Sequence, residues 1–299
     1  MAKVTQIAQI TNAKLIRNLF PPRKRNTHKG SYGRVLLLCG SEGMTGAARL
    51  AARGALRAGS GLVYLGVPEK VYPIVAANAG SELVFPLPCD EQGRLSLAAL
   101  PEIEKRLPNM DAVLVGCGLG RSEELDTLVA ALLKSCKAPL VLDADGINAV
   151  AGHIDVLRGS ACPVILTPHD GEFARLGGNA HAADRMAEAK RFSLETGCIL
   201  LWKGYRSYIT DGLNVYRNDT GNPGMATGGS GDVLAGIVTG LLGQHVFPLE
   251  AAAAGAWLAG AAGDLAAAEL SEYAMLPEDT LSFLPRLWNQ LGERVSNES

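Results

Sequence analysis

The chain has 299 residues, 47% hydrophobic and 19% charged, enough apolar material for a large core and too much for a disordered chain. Its 28 basic and 30 acidic side chains leave a formal charge of -2, which disfavours a general nucleic-acid binder, since that class carries a basic excess. Six cysteines form no CxxC pair, and five histidines form neither HxxxH nor HExxH. That pattern points to reduced, buried thiols in a cytoplasmic protein and gives no sign of a structural zinc site.

The first 41 residues hold eight basic side chains and no acidic one. Val4, Ile7, Ile10 and Leu15 fit the stripe of a docking helix, followed by a basic, solvated linker around Pro21 and Pro22, so residues 1–30 read as helix plus linker. An organelle transit peptide, which shares the basic bias, is the alternative.

From Gly33 onward, short apolar runs alternate with longer amphipathic ones. Strands are expected at 34–39, 62–67, 82–85, 112–115, 140–143, 164–167, 199–202 and 207–210. Helices are expected at 46–57, 97–106, 123–133, 147–151, 171–176 and 182–196. Runs such as VLLLC, AVLVG and VILT are apolar almost throughout, which suits a mostly parallel sheet with helices on both faces. After Gly231 the pattern is wholly helical, with Leu234, Ile237, Val238, Leu241 and Leu242 on one face. No run approaches the ~18 apolar residues of a membrane span. Ala251 to Gly263, bounded by Glu250 and Asp264, reads as a tightly packed internal helix. No linker interrupts the pattern, so residues 1–299 are read as one α/β domain.

The 35 glycines gather where such runs end. In an α/β sheet that is where ligands bind, beside helix N-termini. Gly224-Met-Ala-Thr-Gly-Gly-Ser-Gly-Asp232 leads directly into an apolar helix. Glycines there let the backbone approach an anion, and the helix start presents unpaired N–H groups. Asp232 in the first turn could serve only the helix dipole. An acid beside a phosphate nest is costly, however, unless it handles a proton or a metal, which favours a base acting on a substrate hydroxyl. Neither a Walker A loop nor a dinucleotide GxGxxG after the first strand is present; VGCGLG at 115–120 matches the latter spacing only weakly.

Taken in order, HKGSYG (28–33), GSEGMTGAA (40–48), AGSGLV (58–63), VGCGLG (115–120), LDADGIN (142–148), TPHDGEF (167–173), WKGYRSYI (202–209) and GNPGMATGGSGDVLAG (221–236) resemble the ADP/ATP-dependent NAD(P)H-hydrate dehydratases of the ribokinase-like superfamily. The resemblance runs from about residue 15 to about residue 270. The superfamily signature DTxGAGD has Ala226 in place of its first Asp, as in the dehydratase variant.

The resemblance implies a ribokinase-like fold and a metabolite-repair lyase. Such an enzyme phosphorylates the hydroxyl of hydrated NADH or NADPH from ADP or ATP with Mg²⁺, and loss of phosphate restores the cofactor. By position, Asp232 is the base, while Gly229 and Gly231 cradle the transferring phosphoryl group, Gly231 also touching the nucleotide. Lys203, Gly204, Tyr205, Arg206 and Ser207 align with the nucleotide-binding KGxxT segment, Ser207 standing for Thr. Ala47, Gly120 and His169 match positions that contact the hydrated cofactor, and Asp143, Asp145 and Asn148 hold substrate or metal-bound water. Glu172 takes the position associated with magnesium, as a water-mediated site.

Simpler roles stand beside these: a helix cap for His169, a first-turn acid for Glu172, a strand-end turn for Asp143 and a surface lysine for Lys203. Cys117 replaces the family's usual Pro and Gly146 its usual Ala. Form without a fused epimerase half favours ADP as donor. A homotetramer is the family's habit, and helix 251–263 is a candidate interface. The competing readings are a small-molecule kinase of the same superfamily, of the vitamin-precursor type, and a non-catalytic nucleotide sensor.

Overall fold

The computed structural model describes residues 8–296. Its strands are β1 (Gln9–Ile10), β2 (Arg34–Leu38), β3 (Leu62–Pro68), β4 (Leu83–Leu87), β5 (Ala112–Val115), β6 (Leu140–Leu142), β7 (Val164–Leu166), β8 (Ile199–Trp202), β9 (Ser207–Thr210) and β10 (Val215–Asn218). Its α-helices are α1 (Ala13–Leu19), α2 (Thr45–Ala58), α3 (Tyr72–Ala76), α4 (Leu100–Arg106), α5 (Glu123–Ser135), α6 (Asp145–Asn148), α7 (Asp155–Arg158), α8 (Asp170–Arg175), α9 (Arg185–Thr196), α10 (Ser230–Gly243), α11 (Pro248–Leu270) and α12 (Pro277–Ser296).

All ten strands join one sheet in the order β1-β10-β9-β8-β7-β6-β5-β2-β3-β4. Only β9 runs against its neighbours, pairing antiparallel with β8 and with β10. Alternate side chains of each strand feed different cores. Val35 and Leu37 of β2 pack among α2, α10, α11 and α12, whereas Leu36 and Leu38 face the opposite layer with α4, α5 and α9. Both faces are buried, which is why the strands read as continuous apolar runs. Helices α2 and α10 meet almost backbone to backbone: a Cβ at Gly236 would lie 2.0 Å from the Ala51 carbonyl oxygen.

The N-terminal expectation needs correction. Val4 and Ile7 lie outside the described residues, and Ile10 is exposed on β1, paired in parallel with β10, rather than on a helical stripe. Asn12 starts α1 only at Ala13, its side chain accepting from the Leu15 N–H at 3.1 Å. The helix does dock, through fully buried Ile16 and an edge-on contact of Phe20 with Trp288. Likewise α9 starts at Arg185 rather than 182, because Asp184 caps it through the Ala187 N–H.

Helix α11, 23 residues long, has by length and composition what a membrane crossing requires, contrary to the sequence expectation. It is nonetheless a core helix, since 72% of its most apolar window is buried. Its glycines pack closely against other parts of the chain. A Cβ at Gly255 would meet Val238, one at Gly260 would meet Thr220, and one at Gly263 would meet Met225.

Candidate active site

The chain lays β3 and β4 on one side of β2, then returns to place β5 to β8 on the other. A crevice opens at the carboxyl ends of strands where such an order reverses. The loops after β2 and β5 meet there: the Gly40 N–H donates to the Cys117 carbonyl and the Ser41 hydroxyl to the Gly118 carbonyl, both at 2.8 Å. The loop after β6 closes against them so tightly that a Cβ at Gly116 would lie 1.8 Å from the Asp143 carbonyl oxygen. One at Gly146 would lie 2.2 Å from that of Val115, so the glycine standing for the family's Ala is a steric requirement here.

Between Asp143 and Asp145, Ala144 adopts φ 47° and ψ -110°, a conformation that costs a residue with a side chain on the order of 1–3 kcal/mol. The bend separates two acids with different surroundings. Asp145 turns to the loops, accepting from the Gly120 N–H at 2.8 Å and the Asn148 amide at 3.2 Å. Asp143 is buried, and its Oδ1 accepts from the Thr167 hydroxyl at 2.6 Å and Lys203 Nζ at 2.8 Å. Lys203 Nζ also lies 3.8 Å from Glu172 Oε2. Burial opposes the charge on Lys203, yet Asp143 and Glu172 outweigh it and hold the ammonium above its ordinary pKa.

Opposite this pair stands the start of α10. Gly229 takes φ 105° as the residue before the helix, and no side chain caps the turn. A Cβ there would strike Leu50 at 2.6 Å, whereas one at Gly231 would point toward Lys203 Nζ at 3.3 Å. Asp232, in the first turn, joins Asp143 and Cys117: their donor atoms lie within 4.8 Å of one another. Burial and the neighbouring Asp143 charge push the Asp232 carboxyl up to about 6, against the opposing pull of Cys117 and Lys203. Cys117 is fully buried, and its contact with Cys39, its burial and the nearby acids hold its thiol well above the usual range.

A cleft of about 900 Å³ opens beside the cluster. Lys203 to Ser207 form one wall and Gly228 to Gly231 another, while Asn218, Thr220 and Asn222 extend it along β10 and the following loop. Tyr205 stands 89% exposed at its mouth. The Ser207 hydroxyl donates to the Gly204 carbonyl at 3.1 Å, closing the turn that carries the wall. His169 also lines this cleft and caps α8: its Nδ1 accepts from the Gly171 N–H at 3.0 Å, while Glu172 Oε2 accepts from the His169 N–H at 2.9 Å. Ala47 and Gly120 sit elsewhere, on the β2–β5 side, Ala47 packed beside Gly118 and Gly120 beside Arg94. Asn148 is held between Asp145 and Arg175.

Sequence reasoning overlooks three contributors. Thr167 orients Asp143, although it appears in the motif only as the residue before a proline. Arg185 braces the cleft wall, lying 3.8 Å over the Trp202 ring and 2.9 Å from Asp170. Strand β10 is missing from the sequence-derived strands, although Asp211-Gly212 is a recognisable hairpin turn.

The family model described as NAD(P)H-hydrate dehydratase matches residues 35–286, a span that includes every loop just described. The chain belongs to the NAD(P)H-hydrate dehydratase family. It is 46% identical over 292 residues to the bifunctional NAD(P)H-hydrate repair enzyme of Moorella thermoacetica, covering 96% of this chain but 55% of that protein. The chain thus spans about half the length of the first curated relatives it matches. With the ADP-dependent (S)-NAD(P)H-hydrate dehydratase of Neisseria meningitidis it shares 38% identity over 83% of this chain and 82% of that one. The ADP/ATP-dependent NAD(P)H-hydrate dehydratase of Bacillus subtilis, co-crystallised with ATP/Mg²⁺, superposes with a TM-score of 0.83 at 30% identity, covering 95% of this chain and 99% of that one. The fold of this dehydratase-family chain is ribokinase-like, as its sequence resemblance implied.

Proposed function

We propose that the chain dehydrates the S form of hydrated NADH or NADPH, using ADP or ATP to phosphorylate the ring hydroxyl before phosphate leaves. The observation that carries this reading is the placement of Asp232: a carboxylate in the first turn of α10, raised to about 6, clustered with Asp143 and next in the chain to Gly231, which lines the cleft. A base with a pKa near the working pH is best placed to take a proton from an alcohol.

In this reading the nucleotide occupies the cleft between Lys203–Ser207 and the glycine loop, with Tyr205 over its mouth. Asp232 takes the hydroxyl proton as oxygen attacks the terminal phosphoryl group. Uncapped N–H groups around Gly229 and Gly231 accept the charge spreading over the phosphoryl oxygens, at a helix start whose dipole favours it. Lys203 supplies a fixed cation on the same side. Phosphate then leaves the ring carbon far more readily than hydroxide would, restoring the ring double bond. The hydrated ring reaches toward Ala47, Gly120, Asp143 and Asn148 across the cluster, with His169 at the cleft edge.

The donor set fits a hydrated Mg²⁺. Asp143, Asp232 and Glu172 offer hard oxygens, whereas the Cys117 thiol, held protonated, does not compete. Glu172 already accepts from the His169 N–H and lies near Lys203, so its share is through water. Bound there, Mg²⁺ would offset negative charge on the phosphates.

Among the described residues every cysteine is a free thiol, which supports a cytoplasmic setting. A homotetramer remains part of the proposal by family habit. Incubation with hydrated NADH, Mg²⁺ and ADP or ATP tests the activity. Recovery of reduced-nicotinamide absorbance, matched mole for mole by phosphate, is the expected result. Nucleotide turnover on other alcohols without that recovery would establish the kinase reading instead.

A further inference from the structure

At the opposite end of the strands from the active site, two cysteines meet beside a second cavity. Cys136 ends α5, its backbone N–H bonded to the Leu132 carbonyl at 2.8 Å. Cys162 lies in the loop before β7. Strands β6 and β7 pair with Leu140 opposite Val164, and the Leu140 N–H donates to the Pro163 carbonyl at 2.9 Å. Two residues back in that parallel register, Ala138 comes level with Cys162. The Cys136 thiol donates to the Ala138 carbonyl at 3.3 Å, which ties it to the residue level with Cys162. The Ala161 N–H, bonded to the Leu133 carbonyl at 2.8 Å, staples the loop to the end of α5. Each thiol shifts the other: Cys136 is raised, while Cys162 is lowered to about 7, by Cys136 first and then, against the effect of its burial, by the Ser160 hydroxyl 3.6 Å from its sulfur and the Lys137 charge.

Cys136 is buried, but Cys162 is half-buried and lines a cavity of about 500 Å³ with Leu157, Arg158, Ser160 and Leu194. A low-pKa thiol open to a cavity, next to a second thiol, has the arrangement of a peroxide-reactive centre. The nicotinamide chemistry makes no use of it.

We infer that Cys162 and Cys136 form a redox-active dithiol, with Cys162 as the site of attack by a hydroperoxide entering the cavity and Cys136 as the resolving thiol. The Cys162 thiolate attacks the outer peroxide oxygen. The O–O bond breaks, the alkoxide takes the proton the thiol has lost and leaves as an alcohol, and sulfur is oxidised to a sulfenic acid. Cys136 then attacks that sulfur; an S–S bond forms, the S–O bond breaks, and hydroxide leaves with the Cys136 proton as water. In sum, two thiols and one hydroperoxide give one disulfide, one alcohol and one water.

The test exposes the whole folded chain to hydrogen peroxide at neutral pH, blocks remaining thiols with N-ethylmaleimide and maps the cysteines by peptide mass spectrometry. The expected result is a Cys136–Cys162 crosslinked peptide, reversed by dithiothreitol, with Cys39, Cys117 and Cys198 still alkylatable after unfolding. Cys162 should also react with iodoacetamide about tenfold faster than Cys89 at neutral pH. In Cys136→Ser, Cys162 should accumulate as a sulfenic acid captured by dimedone. Six free thiols after peroxide, a crosslink through Cys198 instead, or Cys162 reacting no faster than Cys89 would each overturn the proposal. The wild-type crosslink decides the matter even if a variant fails to fold.

Discussion

Lys203 Nζ lies 2.8 Å from Oδ1 of Asp143, a residue 60 positions earlier in the chain. The contact joins the ends of β6 and β8 across β7, and Thr167, the residue after β7, completes the set. A buried carboxylate is tolerable only with such partners, and removing one partner of a buried pair costs about 3–5 kcal/mol. Lys203→Met should therefore lower stability by that order, besides weakening nucleotide binding. Chemical denaturation with and without added ADP measures both effects. Unchanged stability would mean that Asp143 finds another partner once Lys203 is gone.

Asp232→Asn should reduce turnover by about a thousandfold while leaving nucleotide affinity within a few fold. Single-turnover assays and calorimetric titration with ADP measure the two separately. Activity within a few fold of the parent would remove Asp232 as the base.

The same carboxylate gives a pH dependence with a definite sign. Its folded pKa of about 6 lies above the ordinary value of 3.8, so the fold favours the protonated form. With Asp232 as the proposed base, activity should fall about tenfold per pH unit below about 6. Stability runs the other way. The contribution of Asp232 is fully present below pH 3.8 and is lost as pH rises through about 6. Asp232→Asn should thus raise the melting temperature at neutral pH, reflecting on the order of 1–3 kcal/mol. A lower melting temperature would show that the ionised carboxylate stabilises the fold.

Two glycines of one loop should respond differently to alanine. Gly229 has φ 105° and Leu50 2.6 Å from where a Cβ would stand, so Gly229→Ala should destabilise the chain by about 1–3 kcal/mol. At Gly231 the nearest atom is Lys203 Nζ at 3.3 Å, a side-chain end that need shift only a few tenths of an ångström, so the fold should tolerate a methyl group there. Gly231→Ala should instead raise KM for the nucleotide and lower kcat, because the methyl group would stand where the proposed reading brings the phosphate. Thermal melts beside steady-state kinetics separate the two cases.

His169 binds the α8 N-terminus through Nδ1, so the capping role is realised, and the residue also lines the cleft. His169→Ala should cost about 0.5–2 kcal/mol from the lost cap, read in denaturant melts. Glu172 would lose a neighbour but retain the His169 backbone N–H.

Strands β5 and β8 occupy the residues that hydrophobic patterning assigns them, because a strand buried on both faces must be apolar throughout. The loops were equally legible. Their glycines answer to local needs, a positive φ at Gly229 or a carbonyl oxygen 1.8 Å from the would-be Cβ of Gly116, and such needs leave a mark at the residue itself. Strand β10 was not, since VYRN mixes polar with apolar residues at a sheet margin and draws its place from pairing with β9 and β1.

Composition, apolar periodicity and glycine placement thus determined the layered sheet, the loops that meet at its carboxyl edge and the acid opening α10. Which groups share charge across that edge was decided only by the folded chain. Asp143 with Lys203, Asp232 beside Cys117 and Cys136 beside Cys162 are contacts between distant segments. The protonation of Lys203, Asp232 and Cys162 follows from burial and from charged or hydrogen-bonding neighbours, quantities that exist only once the strands are laid in order.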